Sequence, residues 1–520
     1  MLSWLIFLPT LGAAAVLAAP RSRDGLVRWL GLVAGAVTLL LALRLFQLFD
    51  ATVAGMQFVE RRPWVPSLGI AYAVGVDGIS LLLVLLTAVI FPVALLSSWA
   101  SITDKVKEFT TAMLLLETAV LGTFLSLDLI LFYVFWEAVL IPMYFLIGIW
   151  GGPNRTYAAN KFILFTMAAS VLMLVAIVVL YLGAAPPGER TFDLQRLQAA
   201  RPPAGLAPWL FAAFTLAFAV KVPVWPLHTW LPDAHVEAPT AGSVILAALL
   251  LKMGTYGFVR FSLGLFPEVA VAAAPWLLTL AVAGIVYGGI VSWAQPDLKR
   301  LVAFSSVSHL GFVTLGIFAL TPEALQGALL QMVNHGISTG GLFLIVGVLY
   351  DRLHSRQISD YGGVAALMPR FAVIFTIVML SSAALPATNG FVGEFLILLG
   401  TFRHAPGFAA AAAVGVILSV IYLLWAYQKV MQGPVLARTP ERLVEVGARE
   451  TLVFVPLIAL IFWIGLFPAP LLRRSEASVR AAIARVEVRT RAPQRVATRR
   501  SLPSRVVEAA ERKTESEPIR

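Results

Sequence analysis

The chain has 520 residues, 59% of them hydrophobic and 13% charged, with a formal net charge of +11 and no cysteine. The charged share is about half that of a soluble domain, which excludes an ordinary globular protein of the cytosol. Without thiols the chain offers no disulfide framework, no thiolate ligand for an iron–sulfur cluster and no C-x-x-C-H haem attachment.

The positive balance does not argue for nucleic acid. Residues 473–520 hold 13 Arg or Lys against 6 acidic residues, so +7 of the +11 sits in one tail. Such a tail suits lipid head groups or a partner subunit.

A helix of about 20 apolar residues crosses a hydrocarbon core, and about fourteen segments meet that rule. In chain order they run 2–20, 29–49, 78–99, 109–127, 129–150, 161–183, 207–222, 238–262, 273–293, 299–320, 324–350, 371–400, 408–431 and 451–472. The first lacks a basic start, and Ala18-Ala19-Pro20 is a poor cleavage site, so it reads as a membrane helix and not a signal peptide. The segments are too long and too evenly apolar for barrel strands, and helices satisfy their own backbone in lipid. The expected fold is therefore an all-α polytopic membrane protein.

Between these segments, residues 50–75 carry Arg61, Arg62, Pro63 and Trp64 and suit an interfacial stretch. Residues 185–206, with Pro186, Pro187, Gly188, Pro202 and Pro203, form a loop. Beyond Leu472 the apolar pattern stops, leaving either an amphipathic helix or a disordered tail. The division is thus a membrane domain over 1–472 and a basic tail over 473–520. Alternate short loops hold 15 Arg or Lys, from Arg21 to Arg449, against 6 in the other set, which places the first set in the cytoplasm and both termini outside. The basic tail then falls on the outer side, against the usual bias.

Two segments are interrupted, the seventh at Lys221-Val222-Pro223-Val224-Trp225-Pro226 and the twelfth at Ala384-Leu385-Pro386-Ala387-Thr388-Asn389-Gly390. Proline removes a backbone donor and clashes with the preceding turn, so both helices should break there. The breaks lie five segments apart, which suggests two inverted five-helix repeats over 109–262 and 273–431.

Ionisable groups deep in apolar segments are costly and mark functional candidates. Glu137 lies mid-way along the fifth segment, Lys221 at the seventh break, Lys252 in the eighth and Glu394 just after the twelfth break. His309 and His335 occupy the tenth and eleventh segments, as relays or as satisfied bundle histidines. Glu117 in the fourth is a secondary candidate, where a tight bundle contact also explains a carboxyl. Burial moves lysines and carboxyls toward neutrality, and an opposite charge moves them back, so an acid–lysine pair such as Glu137 and Lys221 can switch a proton on and off. His228 and His235, with Asp233 and Glu237, sit among Pro226, Pro232 and Pro239, which spoils regular ligand spacing. They suit a folded cap over the broken helix better than a metal site. Asp297-Leu298-Lys299-Arg300 reads as a helix start with solvated charge, and no P-loop, Rossmann fingerprint or nucleophile elbow is found.

The run from Lys221-Val222-Pro223 through His228-Thr229-Trp230-Leu231-Pro232-Asp233-Ala234-His235-Val236-Glu237-Ala238-Pro239-Thr240 to Leu251-Lys252-Met253-Gly254 resembles the central motif of the antiporter-like subunits of proton-pumping NADH:quinone oxidoreductase (respiratory complex I), a family related to Mrp-type antiporters. Phe132-Tyr133-Val134-Phe135-Trp136-Glu137 and Phe391-Val392-Gly393-Glu394-Phe395 are similar to the M type, whose sister L and N types carry lysine on the twelfth helix. The resemblance covers roughly residues 1–470. It implies fourteen helices with segments four to eight and nine to thirteen as inverted repeats. It also implies a proton channel built from Glu137, Lys221, Lys252, the histidines and Glu394. NADH, FMN, iron–sulfur clusters and quinone would be bound by partner subunits, with no cofactor in this chain. The implied setting is a bacterial inner membrane beside L-like and N-like neighbours. Pro386-Ala387-Thr388 departs from the Pro-Gly-Thr type of the twelfth-helix break, and the tail after Leu472 carries no recognised motif, which leaves its role open. The other readings are a subunit of a multi-subunit Na⁺/H⁺ antiporter or of an energy-converting hydrogenase.

Overall fold

The computed structural model describes residues 1–500 except 187, 201, 203, 204 and 437–439. Pro187, Arg201, Pro203, Arg438 and the last twenty tail positions, which enter the sequence reading, lie outside the described residues.

The chain opens with helices α1 (Leu2–Ala18) and α2 (Asp24–Leu48). A two-stranded antiparallel hairpin follows, β1 (Gln57–Val65) and β2 (Ile70–Val76). The next helices are α3 (Gly78–Ser97), α4 (Val106–Leu125), α5 (Leu129–Trp150) and α6 (Arg155–Ala184). Short α7 (Leu194–Ala199) lies in the loop before α8 (Ala207–Lys221), α9 (Trp230–Glu237) and α10 (Thr240–Leu265). The second half holds α11 (Pro267–Trp293), α12 (Leu298–Phe318), α13 (Pro322–Leu353), α14 (Pro369–Ser382), α15 (Asn389–His404), α16 (Pro406–Met431) and α17 (Ala448–Leu466). The last element is α18 (Ala469–Arg500).

Among the described residues, eleven helices are long and apolar enough to cross a membrane, and α1, α8 and α14 are shorter apolar helices. Helices α8 and α14 fall short because each stops at an expected break, after Lys221 and after Ser382. The polypeptide resumes as α9 and α15. The freed backbone is not left unpaired. Trp230 donates its indole N–H to the Val220 carbonyl at 2.9 Å, and the Leu385 N–H donates to the Leu380 carbonyl at 3.0 Å.

Helix starts follow their side chains. Asp77, Asp128, Asp193, Asp297 and Thr321 each accept a hydrogen bond from a backbone N–H of the first turn they precede. Helices α10, α12 and α13 are buried over their whole apolar windows and form the centre, while α2, α16 and α17 leave most of theirs open. Large apolar side chains such as Trp209 and Trp276 stand exposed on the outside, as lipid contact requires.

The hairpin is a strand element in residues that read as an interfacial stretch. It closes over the end of the bundle that holds the N-terminus. The Met1 ammonium and the Leu2 N–H bind Glu60 at 2.5 and 2.8 Å, and Arg61 pairs with Asp193. The described part of the tail is helical, so the disordered alternative fails there.

Candidate functional site

A row of buried polar side chains runs through the apolar centre. Lys252 is fully buried on α10 between two π-helical turns, 246–250 and 258–262. Its Nζ lies 2.6 Å from the Ala247 carbonyl and 2.5 Å from Nδ1 of His335 on α13. The ring of His335 meets that of His309 on α12 edge to face, with centroids 5.9 Å apart. His309 Nδ1 is 3.0 Å from Oε1 of Glu394 on α15, and its Nε2 is 3.1 Å from the Tyr422 hydroxyl on α16. Gln331 donates to the same Glu394 oxygen at 3.0 Å, and its own oxygen accepts from Asn334 at 3.2 Å. Gly393 makes this possible, because a side chain there would strike Gln331 and Asn334 and hold α15 away from α13.

Sequence reasoning found Lys252, His309, His335 and Glu394, and the structure brings these four together. It passed over Tyr422, Gln331 and Asn389. Gln331, Asn334, His335 and Ser338 repeat at i, i+3, i+4 and i+7 on α13. That helical stripe of polar residues in an apolar segment was the available signal.

Lys221 stands at the end of α8, buried, with Nζ 5.0 Å from the centroid of the Trp136 ring and no hydrogen-bond partner among the described residues. Glu137, the next residue on α5, is partly buried and lies within electrostatic range of Lys221. One of its carboxylate oxygens is buried without a protein partner. An aromatic face and a nearby carboxylate both favour the charged form of a lysine, and part of that support is lost when the carboxylate moves.

The remaining candidates separate. Glu117 is fully buried on α4 with neither oxygen hydrogen-bonded among the described residues, so no bundle contact of that kind explains it. His228 packs edge to face on Tyr287 and lies apart from the row. His235 is fully buried, stacks on Phe343 at 4.3 Å and lies within electrostatic range of both Lys252 and Lys299.

Lys299 corrects the sequence reading. It is not a solvated helix-start charge but a buried one, with Nζ 2.5 Å from the Ala238 carbonyl. The end of α9 presents that carbonyl, and a lysine at the start of α12 reaches it only because α9 folds back over the break. Arg260, near the end of α10, is likewise buried and makes two 2.7 Å bonds to Asp77.

Apolar helices, two of them broken, around a central row of titratable groups define a multi-pass membrane protein of the antiporter-like class. The family model for the transmembrane region of NADH:quinone oxidoreductase and Mrp antiporters matches residues 126–421. NADH-quinone oxidoreductase subunit M of Rhodobacter capsulatus is 47% identical over 482 residues, spanning 90% of this chain and 93% of its own. NADH-ubiquinone oxidoreductase chain 4 of Arabidopsis thaliana is 42% identical over 90% of this chain and 94% of its own. A chain of the respiratory complex I from Thermus thermophilus with bound NADH superposes with a TM-score of 0.84 at 34% identity, covering 94% of this chain and 99% of that one. The chain belongs to the NADH:quinone oxidoreductase/Mrp antiporter family.

Proposed function

We propose that this chain is the M-type, proton-translocating subunit in the membrane arm of an NADH:quinone oxidoreductase of a bacterial inner membrane. Quinone reduction in partner subunits would drive it, and L-like and N-like subunits would flank it. NADH, FMN, iron–sulfur clusters and quinone belong to those partners. The observation that carries the reading is the sequence of side-chain contacts from Lys252 through His335 and His309 to Glu394. A purely structural bundle has no use for it, since each ionisable group in a membrane interior costs on the order of 3 kcal/mol.

In this mechanism Glu137 sets the charge on Lys221, and Lys221 or Lys252 takes up a proton from the cytoplasmic side. The histidines pass it on, and Glu394 releases it toward the other half of the membrane. Each charge works against about 2.3 kcal/mol per 100 mV. The groups must therefore exchange protons singly and not through an open channel.

The test is Lys221→Ala in the whole complex, reconstituted in vesicles, with NADH oxidation and internal acidification recorded together. The expected result is an assembled complex that has lost proton translocation. Unchanged translocation would overturn the mechanism. Co-purification with small membrane proteins and no flavin or iron–sulfur subunits would favour a multi-subunit Na⁺/H⁺ antiporter.

A further inference from the structure

Helix α18, which follows α17, packs closely against the start of α3. A β-carbon on Gly78 would collide with the Arg474 carbonyl, and the Gly78 N–H donates to the Ser478 hydroxyl at 3.0 Å. Two turns further on, α18 carries Arg485 and Arg489, four residues apart and so on one face. They line a cavity of about 340 Å³ shared with α7, the start of α3, the end of α10 and the loop after α2. That volume lies at the lower end of the range for small-molecule sites, about 300–1,000 Å³.

The charges on the cavity wall do not balance. Arg260, Arg485 and Arg489 line it, with Asp77 the sole acidic residue of the lining among the described residues. Asp77 is already committed, since both its oxygens bind Arg260 at 2.7 Å. Arg485 uses one nitrogen on the Gln198 side-chain oxygen at 3.0 Å. Arg489 uses one nitrogen on the carbonyls of Gln198, Ala199 and Ala200 at 3.0, 2.6 and 3.2 Å. A guanidinium has five N–H donors, so among the described residues both keep donors to spare. Burial and the charges of Arg260 and Arg489 lower the pKa of Arg485, with Asp77 opposing. Crowded arginines with unused N–H forks are what a tetrahedral oxyanion binds, two parallel bonds at a time. Leu194 and Val259 add an apolar wall beside them.

We propose that this cavity binds a phosphate group, either the head of an anionic phospholipid or free inorganic phosphate, held between Arg485 and Arg489. It lies apart from the Lys252–Glu394 row and does not rest on the proton-transfer reading. It also gives the basic start of the tail a role, since phosphate neutralises two like charges one turn apart.

The test uses the complete complex purified in mild detergent and compares wild type, R485Q/R489Q, and R480Q. Arg480 lies on the same helix but bonds Glu476 and is exposed, so it removes equal charge per site without touching the cavity. Bound phospholipid is counted by phosphorus analysis and mass spectrometry after extensive washing. Binding of labelled inorganic phosphate is then measured on delipidated samples. Loss of a retained anionic phospholipid in R485Q/R489Q alone supports the lipid form. An at least tenfold weaker phosphate affinity in that variant, with lipid content unchanged, supports free phosphate. No difference from R480Q in either assay overturns the site. If R485Q/R489Q fails to assemble, a density map of the wild-type complex in native lipid decides. Tetrahedral density between the two guanidiniums supports the proposal, and an empty cavity or an acidic peptide of a neighbouring subunit overturns it.

Discussion

Nζ of Lys252 and Nδ1 of His335 lie 2.5 Å apart across the interface of α10 and α13. When Lys252 is an ammonium it can only donate, and Nδ1 is then the acceptor, with the proton of the neutral ring on Nε2. That Nε2 is buried and has no protein partner among the described residues. In the proposed mechanism a proton taken up at Nδ1 would leave from Nε2, on the opposite edge of the ring.

A relay role would distinguish histidine from a mere hydrogen-bond acceptor. His335→Gln keeps an acceptor of similar size for Lys252 but cannot exchange protons near neutral pH. We expect it to assemble and to slow proton translocation at least tenfold, a barrier increase of about 1.4 kcal/mol or more. Acidification per NADH oxidised in reconstituted vesicles measures it. Full translocation in His335→Gln would reduce His335 to a packing residue.

The Asp77–Arg260 pair carries a different kind of prediction. Both side chains are buried, and removing one partner of such a pair costs about 3–5 kcal/mol, because the other charge is stranded. Asp77→Asn should lower the amount of chain recovered in the assembled complex and its thermal unfolding midpoint. Burial raises the Asp77 pKa, but the charge and hydrogen bonds of Arg260 and the N–H groups of Ser80 and Ile79 outweigh it, so the value falls below the ordinary 3.8. A depressed carboxyl contributes stability above its unfolded pKa and loses it as pH falls through the folded one. The gap between wild type and Asp77→Asn should thus be full at neutral pH and close in strong acid, below about pH 4. A gap independent of pH would mean that the pair is not what Asp77 contributes.

What the sequence disclosed and what it hid divide along physical lines. Membrane helices announce themselves because about 20 apolar residues in a row have few other uses. The breaks at Pro223 and Pro386 were visible because proline acts locally. Lys252, His309, His335 and Glu394 stood out because a charge in an apolar run is penalised wherever it lies. Neutral polar residues carry no such mark, so Gln331 and Tyr422 were passed over although they hold Glu394 and His309. The hairpin escaped because β1 is exposed along most of its length and has no clean alternation, so pairing with β2 and the N-terminus decides it. Asp77 and Arg260 are 183 positions apart, and no local pattern predicts that they meet. Lys299 was misread for the same reason: its acceptor belongs to a helix end that only the fold brings near.

Ala387 sits in the second break with φ +72°, in the left-handed region where a β-carbon crowds the backbone. Its methyl is exposed, so little packing offsets that cost. Its carbonyl lies against Gly465 of α17, which pins the turn in place. A left-handed alanine costs roughly 1–2 kcal/mol relative to glycine. Glycine in turn frees the unfolded chain by about 0.4–1 kcal/mol. Ala387→Gly should therefore stabilise the break by up to about 1.6 kcal/mol, seen as an unfolding midpoint of the complex that rises or holds. Proton translocation should be retained, because Glu394 and its partners on α12 and α13 are untouched. A clear fall in stability would show that the backbone here is held by contacts of the Ala387 side chain and is not strained. A stable variant that has lost translocation would show that stiffness at Ala387, seven residues before Glu394, is part of how the carboxyl is positioned.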